Sequence, residues 1–170
     1  PGTNYPVTPG HEFAGHIVAI GKGVEGVKEG DFVAVNPNVS CGKCEWCLEN
    51  KPHLCNALTP IGVGRPGAAA ELVAVPAGNA FAVRESVGHG PAALIEPLAC
   101  ALHAVESAQG VKDRRIMILG AGTMGLLIAV VQVAGDEQHQ PALRIADLEL
   151  GEVGAAGLAV VGEREADRVA

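Results

Sequence analysis

The sequence has few aromatic residues and a deficit of positive charge. Phe, Trp and Tyr make up 3% of its 170 residues, and 12 Lys and Arg residues stand against 19 Asp and Glu residues, which gives a net charge of −7. Nucleic-acid-binding domains carry a basic patch or stripe on one face. Because this chain lacks that excess of basic residues, we expect no nucleic-acid partner.

Long uncharged runs are also rare, with one exception at residues 116–135. A run of this length is sufficient for a transmembrane helix. However, Gly120, Gly122 and Gly125 cluster near its start, and clustered glycines favour a turn between a strand and a helix over one continuous helix. We therefore expect no membrane partner.

Cysteine is the informative residue that is present. Four of the five cysteines follow the spacing C-x2-C-x2-C-x7-C, at Cys41, Cys44, Cys47 and Cys55. Four thiolates meet the tetrahedral preference of Zn²⁺, and a site closed by four protein ligands is structural. A disulfide framework or an iron–sulfur cluster is the alternative, but the first spreads its cysteines along small secreted domains and the second commonly uses other spacings. Clustered reduced cysteines also predict a cytoplasmic protein.

The first 80 or so residues have the pattern of short β-strands. Residues 13–20, 31–35 and 71–75 are apolar or alternating runs separated by Gly- and Pro-rich segments. Such a pattern is typical of a barrel or sandwich. We expect a first domain over residues 1–83 and a second over residues 84–170.

The second domain has an alternating pattern of helix and strand. The Ala/Leu-rich residues 91–108 predict a helix that starts near Glu96, since Pro97 is tolerated in a first turn. RRIMILG then predicts a buried strand, TMGLLIAVVQVAG a buried helix, and LRIADL a second strand. Strand, helix and strand form a βαβ unit with parallel strands and a right-handed crossover.

The turn inside that unit matches the dinucleotide-binding pattern G-x-G-x-x-G. Gly120 permits a tight turn, Gly122 lets a pyrophosphate approach, and Gly125 lets the helix pack on the strand. The exposed N–H groups and dipole of the helix start stabilise phosphate charge. Asp147 ends the next strand, where a carboxylate binds the ribose hydroxyls of NAD and repels the 2′-phosphate of NADP. The candidate NAD-binding residues are Gly120, Gly122, Thr123, Met124, Gly125 and Asp147.

A second metal site is indicated by residues far apart in the chain. A catalytic zinc typically has three protein ligands and one open position. His11, in Gly10-His11-Glu12, and Glu96, in Glu96-Pro97-Leu98, are the candidate ligands. A lone histidine before an apolar run is more often hydrogen-bonded than a ligand, and that interpretation stays open from the residues alone.

Taken together, these motifs resemble the zinc-dependent medium-chain alcohol dehydrogenases, and among them the sorbitol (polyol) dehydrogenase branch. The matching segments are residues 9–24, 30–37, 95–104 and 118–125 and the four-cysteine loop. The resemblance implies a GroES-like β-barrel catalytic domain joined to a Rossmann domain with a doubly wound parallel sheet. It also implies that His11, Glu12 and Glu96 form the catalytic zinc site, that the four cysteines hold a structural zinc, and that the protein is a homo-oligomer.

The activity implied by this resemblance is hydride transfer between a polyol or secondary alcohol and NAD. The family has a further cysteine ligand before the GHE motif, so we expect the chain to be a piece of a longer protein, with both domains partial. Two alternatives remain: a non-catalytic module with a structural zinc, and a medium-chain reductase without catalytic zinc.

Overall fold

The computed structural model describes residues 5–108, 115–134, 144–146 and 157–161. Its contacts group the chain into two compact units, Pro1–Glu96 and Pro97–Ala170. The domain boundary expected after residue 83 stays a prediction.

The first unit is built on a three-stranded antiparallel sheet. Its strands are β1 (Ala14–His16), β2 (Phe32–Val35) and β3 (Ala80–Ala82), in the order β1-β2-β3. Ala34 of the central strand pairs with Ala14 on one side and Phe81 on the other. All four residues of β2 are buried, as expected for a central strand of β-branched and aromatic residues. The prediction of short strands is confirmed for residues 31–35, where β2 lies, and for part of residues 13–20, where β1 lies.

The prediction of a strand at residues 71–75 is wrong. That segment is irregular, although Val73 and Val75 pack against a core of Val33, Val35 and Ile61. Alternating apolar residues indicate burial on one side, but they do not establish that the backbone pairs with a neighbour. The third strand is instead β3, which follows a 3₁₀ turn at Ala77–Asn79.

An excursion between β2 and β3 carries the cysteines. It contains α1 (Glu45–Leu48) and a 3₁₀ turn at Pro52–Leu54. On its surface, Lys51 contacts two neighbouring side chains. The Lys51 Nζ lies 2.9 Å from the Glu49 carboxylate and 5.7 Å from the centre of the Trp46 ring.

Two helices follow β3. The short α2 (His89–Ala93) packs on β1 and β2, and α3 (Ile95–Ser107) comes next. The predicted helix near Glu96 is confirmed, with Glu96 and Pro97 in its first turn. Since Pro has no N–H to offer, it is accommodated where the helical N–H groups have no partner within the helix.

The second unit contains β4 (Arg115–Leu119), α4 (Thr123–Ala134), β5 (Arg144–Ala146) and β6 (Gly157–Val161). Strand β4 pairs in parallel with β5, which confirms the expected parallel strands flanking a helix. Its core contains Ile116 and Ile118 of β4, Ala101 of α3, and Ile128 and Ala129 of α4.

The sheet is mixed, whereas we expected it to be wholly parallel. Its order is β5-β4-β6, and β6 runs antiparallel to β4, with Met117 opposite Ala159. A parallel connection requires about a dozen or more residues, usually a helix. The positions between β5 and β6 are 147–156, fewer than that, and an antiparallel return needs no such crossover.

None of the helices in the described part of the chain has both the length and the apolar character needed to cross a membrane.

Candidate metal centres and glycine turn

The four clustered cysteines converge on one point. Their sulfur atoms all lie within 4.8 Å of one another. The Sγ of Cys47 is 3.5 Å from that of Cys44 and 4.0 Å from that of Cys41. Four sulfurs bound tetrahedrally at ~2.3 Å from one ion are ~3.8 Å apart, so the observed spacing fits zinc. The four clustered cysteines form no disulfide with one another, which goes against the disulfide alternative.

Backbone N–H groups point at these sulfurs. The N–H of Cys41 donates to Cys55 Sγ at 3.3 Å, and the N–H of Ala57 donates to the same atom at 3.4 Å. Cys55 is also the most buried of the four. Donated N–H groups stabilise a thiolate, which is the form that binds metal.

Hydrogen bonds and burial shift the pKa values of three thiols in this loop in different directions. Backbone N–H groups of Cys47 and Asn56 lower the pKa of Cys44 to about 6. The N–H groups of Lys43 and Cys44 likewise lower the pKa of Cys41. Burial, and then the hydrogen bond with Cys44, raises the pKa of Cys47 to about 11. A bound dication favours the thiolate at every position, and it would offset the raised pKa of Cys47.

A second cluster joins His11, Glu12 and Glu96. One ligand atom from each lies within 4.8 Å of the others. His11 Nε2 is 3.8 Å from Glu12 Oε1, and both side chains are about half exposed, at 49% and 47%. His11 and Glu12 precede β1, whereas Glu96 lies in the first turn of α3.

The donor atoms of this second cluster are one imidazole nitrogen and two carboxylate oxygens. Such a set suits Zn²⁺ and other divalent ions, and its exposure leaves room for a further ligand. The cluster therefore has the composition of an open metal site, in contrast to the closed four-sulfur site.

The glycine turn has the predicted geometry in its described part. Gly120 has a φ of +99°, and α4 begins at Thr123, followed by Met124. A Cβ added to Gly122 would meet nothing within 4 Å, whereas one added to Gly125 would collide with the Gly120 carbonyl oxygen. The turn is thus open where a phosphate would approach and closed where helix meets strand. Asp147 lies outside the described residues.

Sequence reasoning missed a group of rings beside β1. His16 Nε2 lies 2.9 Å from Glu85 Oε1, and the His16 ring is 5.1 Å from the Phe32 ring and 5.4 Å from the His89 ring. These residues are widely separated in the chain, and no spacing rule links them. Their donor atoms are not among the metal-compatible groups found in the described residues.

An apolar cavity of about 450 Å³ also lies in the first unit. Its lining comes from residues 13–27, from β2 and from residues 68–80, and it is mostly apolar, with Glu71 and His16 as the charged or titratable groups. His11, Glu12 and Glu96 do not line it. This cavity is therefore distinct from the candidate metal centres and is poorly suited to a polyhydroxylated ligand.

Comparison with known proteins identifies relatives of the chain. The family model for the alcohol dehydrogenase GroES-like domain matches residues 1–85. The starvation-sensing protein RspB of Escherichia coli is 40% identical over 131 residues, which cover 77% of this chain and 39% of that protein. Galactitol 1-phosphate 5-dehydrogenase of Escherichia coli is 38% identical over 146 residues, which cover 86% of this chain and 42% of that enzyme.

A solved structure supports the same relationship. An alcohol dehydrogenase (rspB) from Escherichia coli, in complex with NADH, superposes with a TM-score of 0.77 at 38% identity. That match covers 85% of this chain and 42% of the other. The chain thus spans about two fifths of the length of these relatives.

Proposed function

The chain belongs to the alcohol dehydrogenase family with a GroES-like domain, and from this premise we propose that the protein transfers hydride between a polyol or secondary alcohol and NAD. The observation that carries the proposal is the convergence of His11, Glu12 and Glu96, whose donor atoms lie within 4.8 Å of one another. The activity belongs to the whole protein, since the relatives are longer than this chain.

The three residues would hold a catalytic zinc. When bound, the ion supplies a Lewis acid for the alcohol oxygen, and NAD supplies the hydride acceptor. His11 contributes a neutral ring nitrogen, so the site requires its deprotonated form. Glu12 and Glu96 would place two negative charges beside the dication, and Glu96 would supply a hard oxygen donor in place of a thiolate.

The four-cysteine loop would hold the structural zinc. Its sulfur spacing leaves no open ligand position, so it contributes to folding rather than to the reaction.

The glycine turn would hold the pyrophosphate of NAD, within a Rossmann domain. Gly120, Gly122 and Gly125 shape the turn, and Thr123 and Met124 present their N–H groups at the start of α4. The proposed preference for NAD rests on Asp147. The NADH complex of the RspB structure is consistent with it.

Galactitol 1-phosphate 5-dehydrogenase among the relatives favours a polyol-type substrate. Another relative, L-threonine 3-dehydrogenase of Streptomyces coelicolor, extends the range of proposed substrates to other secondary alcohols. It is 42% identical over 126 residues, which cover 74% of this chain and 36% of that enzyme. The proposal therefore names the class of alcohol rather than one compound. We also propose that the protein is a cytoplasmic homo-oligomer. Cell fractionation would test its location, and light scattering would test its oligomeric state.

The test is an assay of the whole protein with polyols and secondary alcohols, with NAD⁺ or NADP⁺ as acceptor. We expect NADH formation and two zinc ions per chain. Glu96→Gln should lower kcat/KM about 100-fold or more and remove one zinc, since it weakens a ligand of the Lewis acid.

The matched control is Glu106→Gln, on the exposed face of the same helix. It should keep both zinc ions and full activity. If wild-type protein with two zinc ions reduced neither nicotinamide with any alcohol, or if Glu96→Gln behaved like Glu106→Gln, the proposed reaction would be wrong.

A further inference from the structure

Three glycines bring two backbone segments into contact immediately before His11. A Cβ added to Gly67 would lie 2.5 Å from both the Gly62 Cα and the Pro9 carbonyl oxygen. A Cβ added to Gly62 would lie 2.5 Å from the carbonyl oxygen of Gly10. Real Cβ atoms do not approach backbone this closely, so no residue with a side chain fits at Gly62 or Gly67 without displacing the main chain. We call the contact of Gly10, Gly62 and Gly67 the glycine crossing.

Hydrogen bonds hold the two segments together along their length. Three successive carbonyl groups, of Thr8, Pro9 and Gly10, accept from the N–H groups of residues 67, 69 and 68. The donor–acceptor distances are 2.8, 2.9 and 3.0 Å, respectively. The peptide that ends at His11 is therefore fixed from one side at three consecutive positions.

The other side of the crossing is attached to the protein core. Ile61 is fully buried, and its N–H donates to the Pro37 carbonyl at 2.9 Å, just after β2. The N–H of Gly62 donates to the Arg65 carbonyl at 2.8 Å and closes the loop that leads to Gly67. The position of Gly10 is thus set by the core through the crossing.

The side chain of His11 has little packing of its own, because it is 49% exposed. We propose that the glycine crossing positions the His11 imidazole for metal binding, an inference that rests on the proposed function. The crossing restrains His11 through the main chain, whereas neighbouring side chains would restrain a buried metal ligand. Precise placement of metal ligands depends on such supporting contacts.

The size of the effect follows from the contact distances. A Cβ at Gly67 would need about 1 Å more space to reach an ordinary contact, and its three nearest neighbours are backbone atoms that cannot rotate away. Gly67 does not have a positive φ, so Gly67→Ala acts through this contact alone. Loss of a supporting contact commonly weakens metal binding ~10- to 100-fold, and we expect a loss in that range.

The experiment uses Co²⁺ as the probe in the whole protein. Cobalt bound by four thiolates gives much more intense charge-transfer and visible bands than cobalt whose ligands are mainly nitrogen and oxygen, so a titration distinguishes the two sites by intensity and wavelength. Gly67→Ala should weaken Co²⁺ binding at the weakly absorbing site at least about tenfold and shift the bands of that site, with the tetrathiolate bands unchanged. Gly64→Ala is the matched control in the same loop, since its Cβ would lie 3.4 Å or more from all neighbours.

The possible outcomes distinguish a failure of the positioning role from a failure of the proposed function. If the unsubstituted whole protein shows the tetrathiolate bands and no second, weakly absorbing site, the proposed catalytic metal centre is wrong. If that site is present and Gly67→Ala leaves its affinity and bands unchanged, the positioning role is wrong while the proposed function stands. Loss of both sets of bands in Gly67→Ala would mean that the crossing supports the whole unit rather than His11, and would also overturn the proposal.

Discussion

Ile61 offers a direct test of how the first unit is stabilised. Its side chain is 0% exposed and packs with Val33 and Val35 of the central strand. It also begins the loop that carries Gly62 and Gly67. Replacing Ile61 by Ala should therefore destabilise the core beneath the candidate catalytic centre.

The expected loss follows from the atoms removed. Ile61→Ala deletes three buried carbon groups, each of which contributes about 0.8 kcal/mol, for a total of about 2.4 kcal/mol. A residual cavity adds to this cost, because the surrounding core collapses only in part. We expect the free energy of unfolding to fall by about 3 to 4 kcal/mol.

Urea denaturation followed by tryptophan fluorescence measures this change. This 170-residue chain has one tryptophan, Trp46, which lies in the first unit, so the fluorescence of the chain reports that unit. Leu72→Ala is the matched control: it removes the same number of carbons from a side chain that is 70% exposed, and it should cost less than about 0.5 kcal/mol. Similar losses for the two variants, or a loss below about 1 kcal/mol for Ile61→Ala, would refute the assignment of Ile61 to the core.

Two further predictions concern the cysteine loop and the glycine turn. In metal-free protein, iodoacetamide should alkylate Cys44 increasingly as the pH rises through about 6, because the thiolate is the nucleophile, whereas Cys47 should react only as the pH approaches about 11. Peptide mass spectrometry measures both rates, and equal rates at pH 7.5 would contradict the assigned hydrogen bonds. Gly125→Ala should weaken NADH binding to the whole protein more than about tenfold, since its methyl group meets the Gly120 carbonyl oxygen and displaces the turn from the phosphates. A fluorescence titration that gave the wild-type affinity would count against a cofactor role for the turn.

Local motifs were the predictable part of the site. The spacing of Cys41 to Cys55 confines four thiols to one short loop, so few arrangements other than a shared metal are open to them. The same holds for Gly120 to Gly125, where the strand before and the helix after are both readable from hydrophobic pattern. The start of the helix near Glu96 was predictable because Pro97 fits a first turn.

Pairing between distant strands was less predictable. Residues 71–75 have the alternation of a strand but only partly bury Val73 and Val75 and form no strand, while the short segment Ala80–Ala82 pairs with β2. The antiparallel direction of β6 also could not be read from its composition. Strand pairing depends on which edge a returning segment reaches, and hydrophobic pattern does not specify that.

The sequence alone determined the chemistry available to this protein: four closely spaced thiols, a glycine turn, and an imidazole and carboxylates able to bind metal. The tertiary structure decided that Glu96 meets His11 and Glu12, and that Gly62 and Gly67 press against Gly10 beside them. The physical reason is the separation in sequence between the residues that meet. Thiol spacing and turn geometry are set by covalent connections over a few residues, whereas these contacts join segments far apart in the chain and form only when the core around Ile61 brings them together.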